Sequence, residues 1–236
     1  MKAFFDAILY EPLLNLLIGL YNTVAFEDLG VAIILLTAIV RLALFPLFQK
    51  SIRHQAALQA IQPKIKEVQE KHKHDKTRQT EEMFALYKRE KVNPFSGMFF
   101  LIIQLPILIA LYRIFLNGVA VGSFSNLYSF VASPEAFQTT LFGLINLNER
   151  SILMVVVAAI LQYIQGKLAL PVRDGKTPLS QAERVGKNMV IVGPLLTLFI
   201  FFNLPAAVGL YWTTTSLFSI GQQLLLRREQ NKNGTT

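Results

Sequence analysis

The chain of 236 residues contains no cysteine. Disulfides, thiol catalysis and thiolate-held metals are therefore excluded. Charge is also scarce: Asp, Glu, Lys and Arg make up 16% of the residues, against 53% that are hydrophobic. With a mean hydropathy of +0.42, this is not the balance of a soluble globular domain. Histidine occurs only as His54, His72 and His74. His72 and His74 stand two apart and share no helix face, so no metal site is expected. No G-x-x-x-x-G-K-[ST] loop occurs, so no nucleotide site is expected either.

What the chain does have is apolar length. Five runs stand out, at 29–48, 94–116, 151–170, 188–203 and 205–226. Each is near the roughly 20 residues that a membrane-spanning helix needs. Pro94, Pro171 and Pro205 mark helix limits, whereas Pro46, Pro106 and Pro194 fall inside runs and are expected to kink them. The last two runs are divided only by Asn203-Leu204-Pro205, which predicts a tight helical hairpin.

The net charge is +8, but its distribution argues against sequence-specific nucleic-acid binding. Lys and Arg concentrate in 50–92, in 167–187 and after Leu226, nineteen in all, against Lys2, Arg113 and Arg150 on the other side. By the positive-inside rule the N-terminus is outside and the C-terminus cytoplasmic, and five spans satisfy both.

Residues 1–28 read as an amphipathic helix on the outer surface, with a sixth span over 3–21 as the alternative. A lone Lys2 is a poor signal-peptide start, and no convincing small-residue cleavage site follows. Residues 49–93 show helical apolar spacing at Ile61, Ile65 and Val68 and again at Phe84 and Tyr87. They predict a cytoplasmic helix–turn–helix hairpin turning near Lys71–Lys76. Arg53, Lys64, Lys66, Lys71, Lys73, Lys88 and Arg89 make it a basic docking surface for headgroups, a ribosome or another membrane protein. A merely solvated hairpin is the plainer alternative. Residues 117–150 form an external loop with Phe124, Tyr128, Phe130 and Phe137 at interfacial positions. Residues 171–187 form a cytoplasmic loop, and 227–236 a short cytoplasmic tail.

Within the five runs there is no Asp or Glu. A carboxylate proton relay, aspartate-type proteolysis and a Ser–His pair are thus all missing, and no enzyme activity is expected. Arg41 nevertheless lies in the first run. An arginine at mid-membrane costs roughly 2.5–3.5 kcal/mol on insertion scales. Thr37 lies one turn before it on the same face. Gln104 lies mid-run in the second span, Gln162 in the third, and Tyr211 and Trp212 in the fifth, followed by Thr213 to Thr215 and Gln222-Gln223. Each could serve as helix–helix glue. Together they offer acceptors that leave the charge of Arg41 uncancelled, so an acidic guest could bring the counter-charge.

The order of several blocks resembles the YidC membrane-protein insertase family, which includes the insertases of mitochondria and chloroplasts. The blocks are an arginine-bearing span ending in Phe45-Pro46-Leu47; Gln62-Pro63-Lys64 and Leu86-Tyr87-Lys88; Val92-Asn93-Pro94; Gln104-Leu105-Pro106-Ile107; Ala110-Leu111-Tyr112; and Leu210-Tyr211-Trp212. The resemblance implies an all-α polytopic protein of the bacterial plasma membrane that inserts and helps fold nascent membrane proteins. It implies a hydrophilic groove open to cytoplasm and lipid, with Arg41, Thr37, Gln162, Tyr211 and Trp212 at substrate-contacting positions. Gln104 joins them from its mid-run position alone. No cofactor is implied. Nascent membrane proteins, the bilayer, a ribosome and a Sec-type translocon are the implied partners. Against the family pattern, the chain has no room for an extra N-terminal span with a large periplasmic domain. Tail-mediated ribosome binding is not expected from ten residues after Leu226. The alternative function is a small transporter or channel with Arg41 as its anion site.

Overall fold

The apolar run that carries Arg41 does not fold as one straight rod. Helix α3 (Leu29–Ala43) ends at Leu44, and α4 (Phe45–Ala60) continues at an angle of 64°. Pro46 stands in the first turn of α4, where it lacks the N–H that a continuous helix would need and crowds the carbonyl four residues back. The computed structural model describes residues 2–93, 96–119, 126–170 and 181–233. Pro94, Phe124 and the 171–180 part of the cytoplasmic loop lie outside the described residues, as does 234–236 of the tail.

The described elements are helical except for one small β-hairpin, β1 (Thr140–Leu141) against β2 (Ile145–Asn146), antiparallel with Thr140 opposite Asn146. Short helix α1 (Lys2–Phe5) runs through a π-helical turn into α2 (Glu11–Thr23). After α4 come α5 (Gln62–Lys71), α6 (Lys76–Arg89), α7 (Ser96–Arg113), α8 (Ile152–Ala169), α9 (Gln181–Phe201) and α10 (Ala206–Asn233). Among the described residues, Lys2–Thr23, Ile152–Ala169 and Arg184–Phe201 are long and apolar enough to cross a membrane, and α3 with α4 adds a fourth if the bent pair is one span. The fold is that of an all-α polytopic membrane protein.

The apolar core sits at one end of the bundle. Leu14, Leu17, Ile18 and Tyr21 of α2 pack with Leu29, Ile33 and Leu36 of α3, with Leu111 of α7 and with Ala206 to Val208 at the start of α10. The segment before α8 is tied to the same end. Asn15 donates to the carbonyl of Asn126 and accepts from the amide of Tyr128, and Ala206 N donates to Glu149 O. Asp28 caps α3 through Val31 N at 2.9 Å and also accepts from Phe142 N of the β-hairpin at 2.5 Å. Gly30 lets that hairpin lie flush on α3, because a Cβ there would stand 2.9 Å from the Leu141 backbone.

The N-terminal helix reaches this end at both of its own ends. Asp6 pairs with Arg113 at 2.5 Å, and Tyr21 accepts from Gln138 N at 2.7 Å. By contrast α8 and α9 expose Ile152, Val156, Ile160, Leu195, Phe199 and Ile200, the surface expected of helices facing lipid.

The segment between α4 and α7 folds on its own small core of Ile61, Ile65, Leu86 and Val92. Asp75 caps α6 through Arg78 N at 3.0 Å. Lys64 meets Glu90 at 2.9 Å and holds its carboxyl below the usual range.

Candidate functional site

Arg41 is 3% exposed, and its guanidinium lies 4.4 Å from the centre of the Phe48 ring. The bend after α3 produces this contact by folding the first turns of α4 back beside the arginine. A cation over an aromatic face is attracted by the ring quadrupole, which holds the charge in place without cancelling it. Thr37, one turn earlier and fully buried, donates to Ile33 O at 2.7 Å. Its hydroxyl oxygen keeps acceptor capacity on the same helix face.

Across from α3 stands α10. Tyr211 is buried and lies within electrostatic reach of Arg41. Gln104 of α7, also buried, donates through Nε2 to the Tyr211 hydroxyl. The structure therefore brings Arg41, Thr37, Gln104 and Tyr211 into one polar cluster built from three helices. Trp212 points to another side of α10, against Phe201 at 5.3 Å with the rings perpendicular. Its indole N–H is buried with no hydrogen-bond partner in the protein. Gln162 of α8 accepts from Thr197 of α9 and is not joined to the Arg41 cluster by a hydrogen bond. The basic hairpin residues are spread over the helices beyond the bend. Arg53 meets Glu229 at 3.2 Å, Lys64 and Arg89 flank Glu90, and Lys71, Lys73 and Lys88 are exposed.

The cluster continues along α10. Tyr211, Thr215, Gln222 and Glu229 recur at intervals of four, seven and seven residues, which keeps them on one helix face. Thr215 and Gln222 on that face are buried, as are neighbouring Ser219 and Gln223. Both amide atoms of Gln222, Oε1 of Gln223 and Oε1 of Gln49 on α4 are buried without a hydrogen-bond partner in the protein. A buried polar group left unsatisfied costs about 1–3 kcal/mol. Such groups are normally met by water or a ligand. Gln222 and Gln223 were visible in the sequence as part of a polar scatter. Gln49, Thr197 and Ser219 carry no such signal, and only the shared helix face of residues 211, 215 and 222 hints at a continuous stripe.

Among the described residues no group of His, Asp and Glu could hold a metal ion. Inside the apolar bundle, a buried arginine, tyrosine, glutamine and threonine lie together and are continued by buried polar side chains along α10.

The model of the 60Kd inner membrane protein family matches residues 20–233, and the chain belongs to that family. It is similar to the membrane protein insertase YidC of Clostridium tetani, 35% identical over 205 residues, which cover 86% of this chain and 84% of the relative. It is also similar to the proteins of that name from Streptomyces avermitilis, 31% identical over 229 residues, and Syntrophus aciditrophicus, 32% identical over 218 residues. It spans 53% and 36% of the length of those two.

Proposed function

We propose that the chain is a membrane protein insertase of the bacterial plasma membrane. In this reading it passes short polar segments of nascent membrane proteins through a groove that starts at Arg41. The observation that carries the reading is the buried Arg41–Tyr211–Gln104 cluster, extended by the polar face of α10. Five spans run N-out and C-in, with α3 and α4 forming the first. The apolar core, the N-terminal helix and the β-hairpin close the outer end. The N-terminal helix lies across that end rather than spanning, because Asp6 and Tyr21, near its two ends, both bind outer-end elements. In this reading the guest enters from the cytoplasmic side, between α4 and α10, past the exposed Arg53–Glu229 pair.

An acidic or polar N-terminal tail enters from the cytoplasm and meets Arg41, whose charge supplies the attraction. Polar side chains and water replace hydrocarbon along the path, which lowers the cost of carrying polar groups inward. The guest's apolar helix then moves out into lipid, driven by burial at roughly 25 cal/mol per Å² of apolar surface. The membrane potential assists an acidic tail by about 2.3 kcal/mol per charge per 100 mV. The basic hairpin meets anionic headgroups and the ribosome, and a Sec-type translocon is a neighbouring partner.

A photocrosslinker placed at Thr215, on the polar face of α10, tests the reading with a ribosome-stalled nascent chain. Capture of the polar tail or of the first apolar segment is expected. No capture, together with anion flux through liposomes holding only this protein, would instead make Arg41 the anion site of a transporter or channel.

A further inference from the structure

Gln222 stands 11 residues beyond Tyr211 on the same face of α10, about 16 Å further toward its C-terminal end at 1.5 Å per residue. Tyr211 faces Gln104 and Arg41, while Glu229, seven residues beyond Gln222, faces Arg53 of α4. Gln222 therefore points toward the α3–α4 side, between the arginine cluster and the cytoplasmic ion pair. It is 3% exposed, and neither its carbonyl nor its amino group has a hydrogen-bond partner in the protein. Gln223 beside it and Gln49 on α4 each present a buried carbonyl in the same condition.

A side-chain amide offers one acceptor and a donor pair, the same complement as a peptide group, and carries no charge. We propose that Gln222 is a docking residue for the main chain of the translocating segment. It would pair with successive peptide groups of an extended guest, whatever its side chains, with Gln223 and Gln49 contributing further acceptors. This rests on the insertase reading and adds a second recognition step to it. Arg41 selects by charge, and Gln222 holds backbone without regard to charge.

The two roles separate in an experiment on the full chain in proteoliposomes. Three single-span substrates would differ only in an acidic, a neutral or a basic N-tail, and insertion would be followed by protease protection. The substitution Gln222→Leu removes the amide and should slow insertion of all three tails by a similar factor. That factor should be about five- to tenfold, within what one net hydrogen bond supplies. Gln222→Asn, which keeps an amide on a shorter stem, should fall between Gln222→Leu and the original chain. Gln222→Leu should also melt no lower than the unsubstituted protein, because a buried amide without a partner has been replaced by an apolar side chain. Undiminished insertion by Gln222→Leu overturns the proposal, as does a loss confined to the acidic tail. A loss of insertion that accompanies a lower melting temperature also overturns it, by making Gln222 structural. If the unsubstituted chain inserts no substrate above empty liposomes, the insertase reading itself fails.

Discussion

A single guanidinium sets the chemistry at the residue scale. Arg41 is buried among Phe48, Thr37 and Tyr211 in a bundle whose five apolar runs contain no carboxylate. The Gln104–Tyr211 hydrogen bond fixes the wall opposite the charge. Tyr211→Phe leaves the Gln104 amide a buried donor without its acceptor. It should cost about 1–3 kcal/mol, a fall of roughly 2–12 °C in the melting temperature at about 2–4 °C per kcal/mol. Pairing it with Gln104→Leu should recover most of that loss, because both polar partners are then gone. Thermal melts of the two single variants and the double variant form the cycle that measures the coupling. Thr37 and Arg41 could be matched in the sequence because one helical turn separates them. Gln104 and Tyr211 could not, because they stand 107 residues apart and nothing local says that α7 meets α10. The partner of Gln162 was hidden for the same reason: an amide in a span reads alike whether it faces a guest or a threonine on the next helix.

At the element scale, the bend at Leu44 turns α4 away from the axis of α3, and the glycine contact at Gly30 seats the β-hairpin on α3. Pro46 signals the break in sequence, but the direction of the 64° turn depends on what α4 packs against. Gly30→Ala would push a methyl to 2.3 Å from Leu141 Cδ1 and 2.9 Å from its Cα. Overpacking of this kind costs about 1–3 kcal/mol, and the β-hairpin should lift from α3. Faster hydrogen exchange at Phe142 N, which donates to Asp28, would register that release. The hairpin of α5 and α6 has its own pH response. Lys64 holds the Glu90 carboxyl below its ordinary value, so the stabilisation is present above the unfolded carboxylate pKa, about 4.3. It is lost as pH falls through the lower folded value. NMR titration of Glu90 should show its midpoint rise toward the ordinary value in Lys64→Ala. No change would mean that the pair does not form in solution. The two helices of this hairpin were legible from apolar spacing. The pairing of Arg53 on α4 with Glu229 on α10 was not, since surface charges 176 residues apart carry no pairing signal.

Over the whole molecule, polarity is segregated. Apolar packing gathers where α2, α3, α7 and α10 meet the loop before α8, while buried polar groups run down α10 from that end. The asymmetry of Lys and Arg supports the proposed orientation, and the combination supports the proposed path, closed outside and open within. The five apolar runs and the charge bias could be read directly from the chain. The outer closure could not, because it depends on Asn15 and Tyr21 reaching backbone groups more than 100 residues away. The central claim is that Arg41 draws acidic segments into this path. Its most direct test is insertion of an acidic-tailed and a neutral-tailed single-span substrate into proteoliposomes containing Arg41→Ala, Arg41→Lys or the unsubstituted chain at equal density. The account predicts that Arg41→Ala loses acidic-tail insertion about tenfold or more, the factor that 1.4 kcal/mol supplies. It predicts that Arg41→Lys keeps much of this insertion and that the neutral tail changes little. Equal insertion of the acidic tail by all three proteins would contradict it.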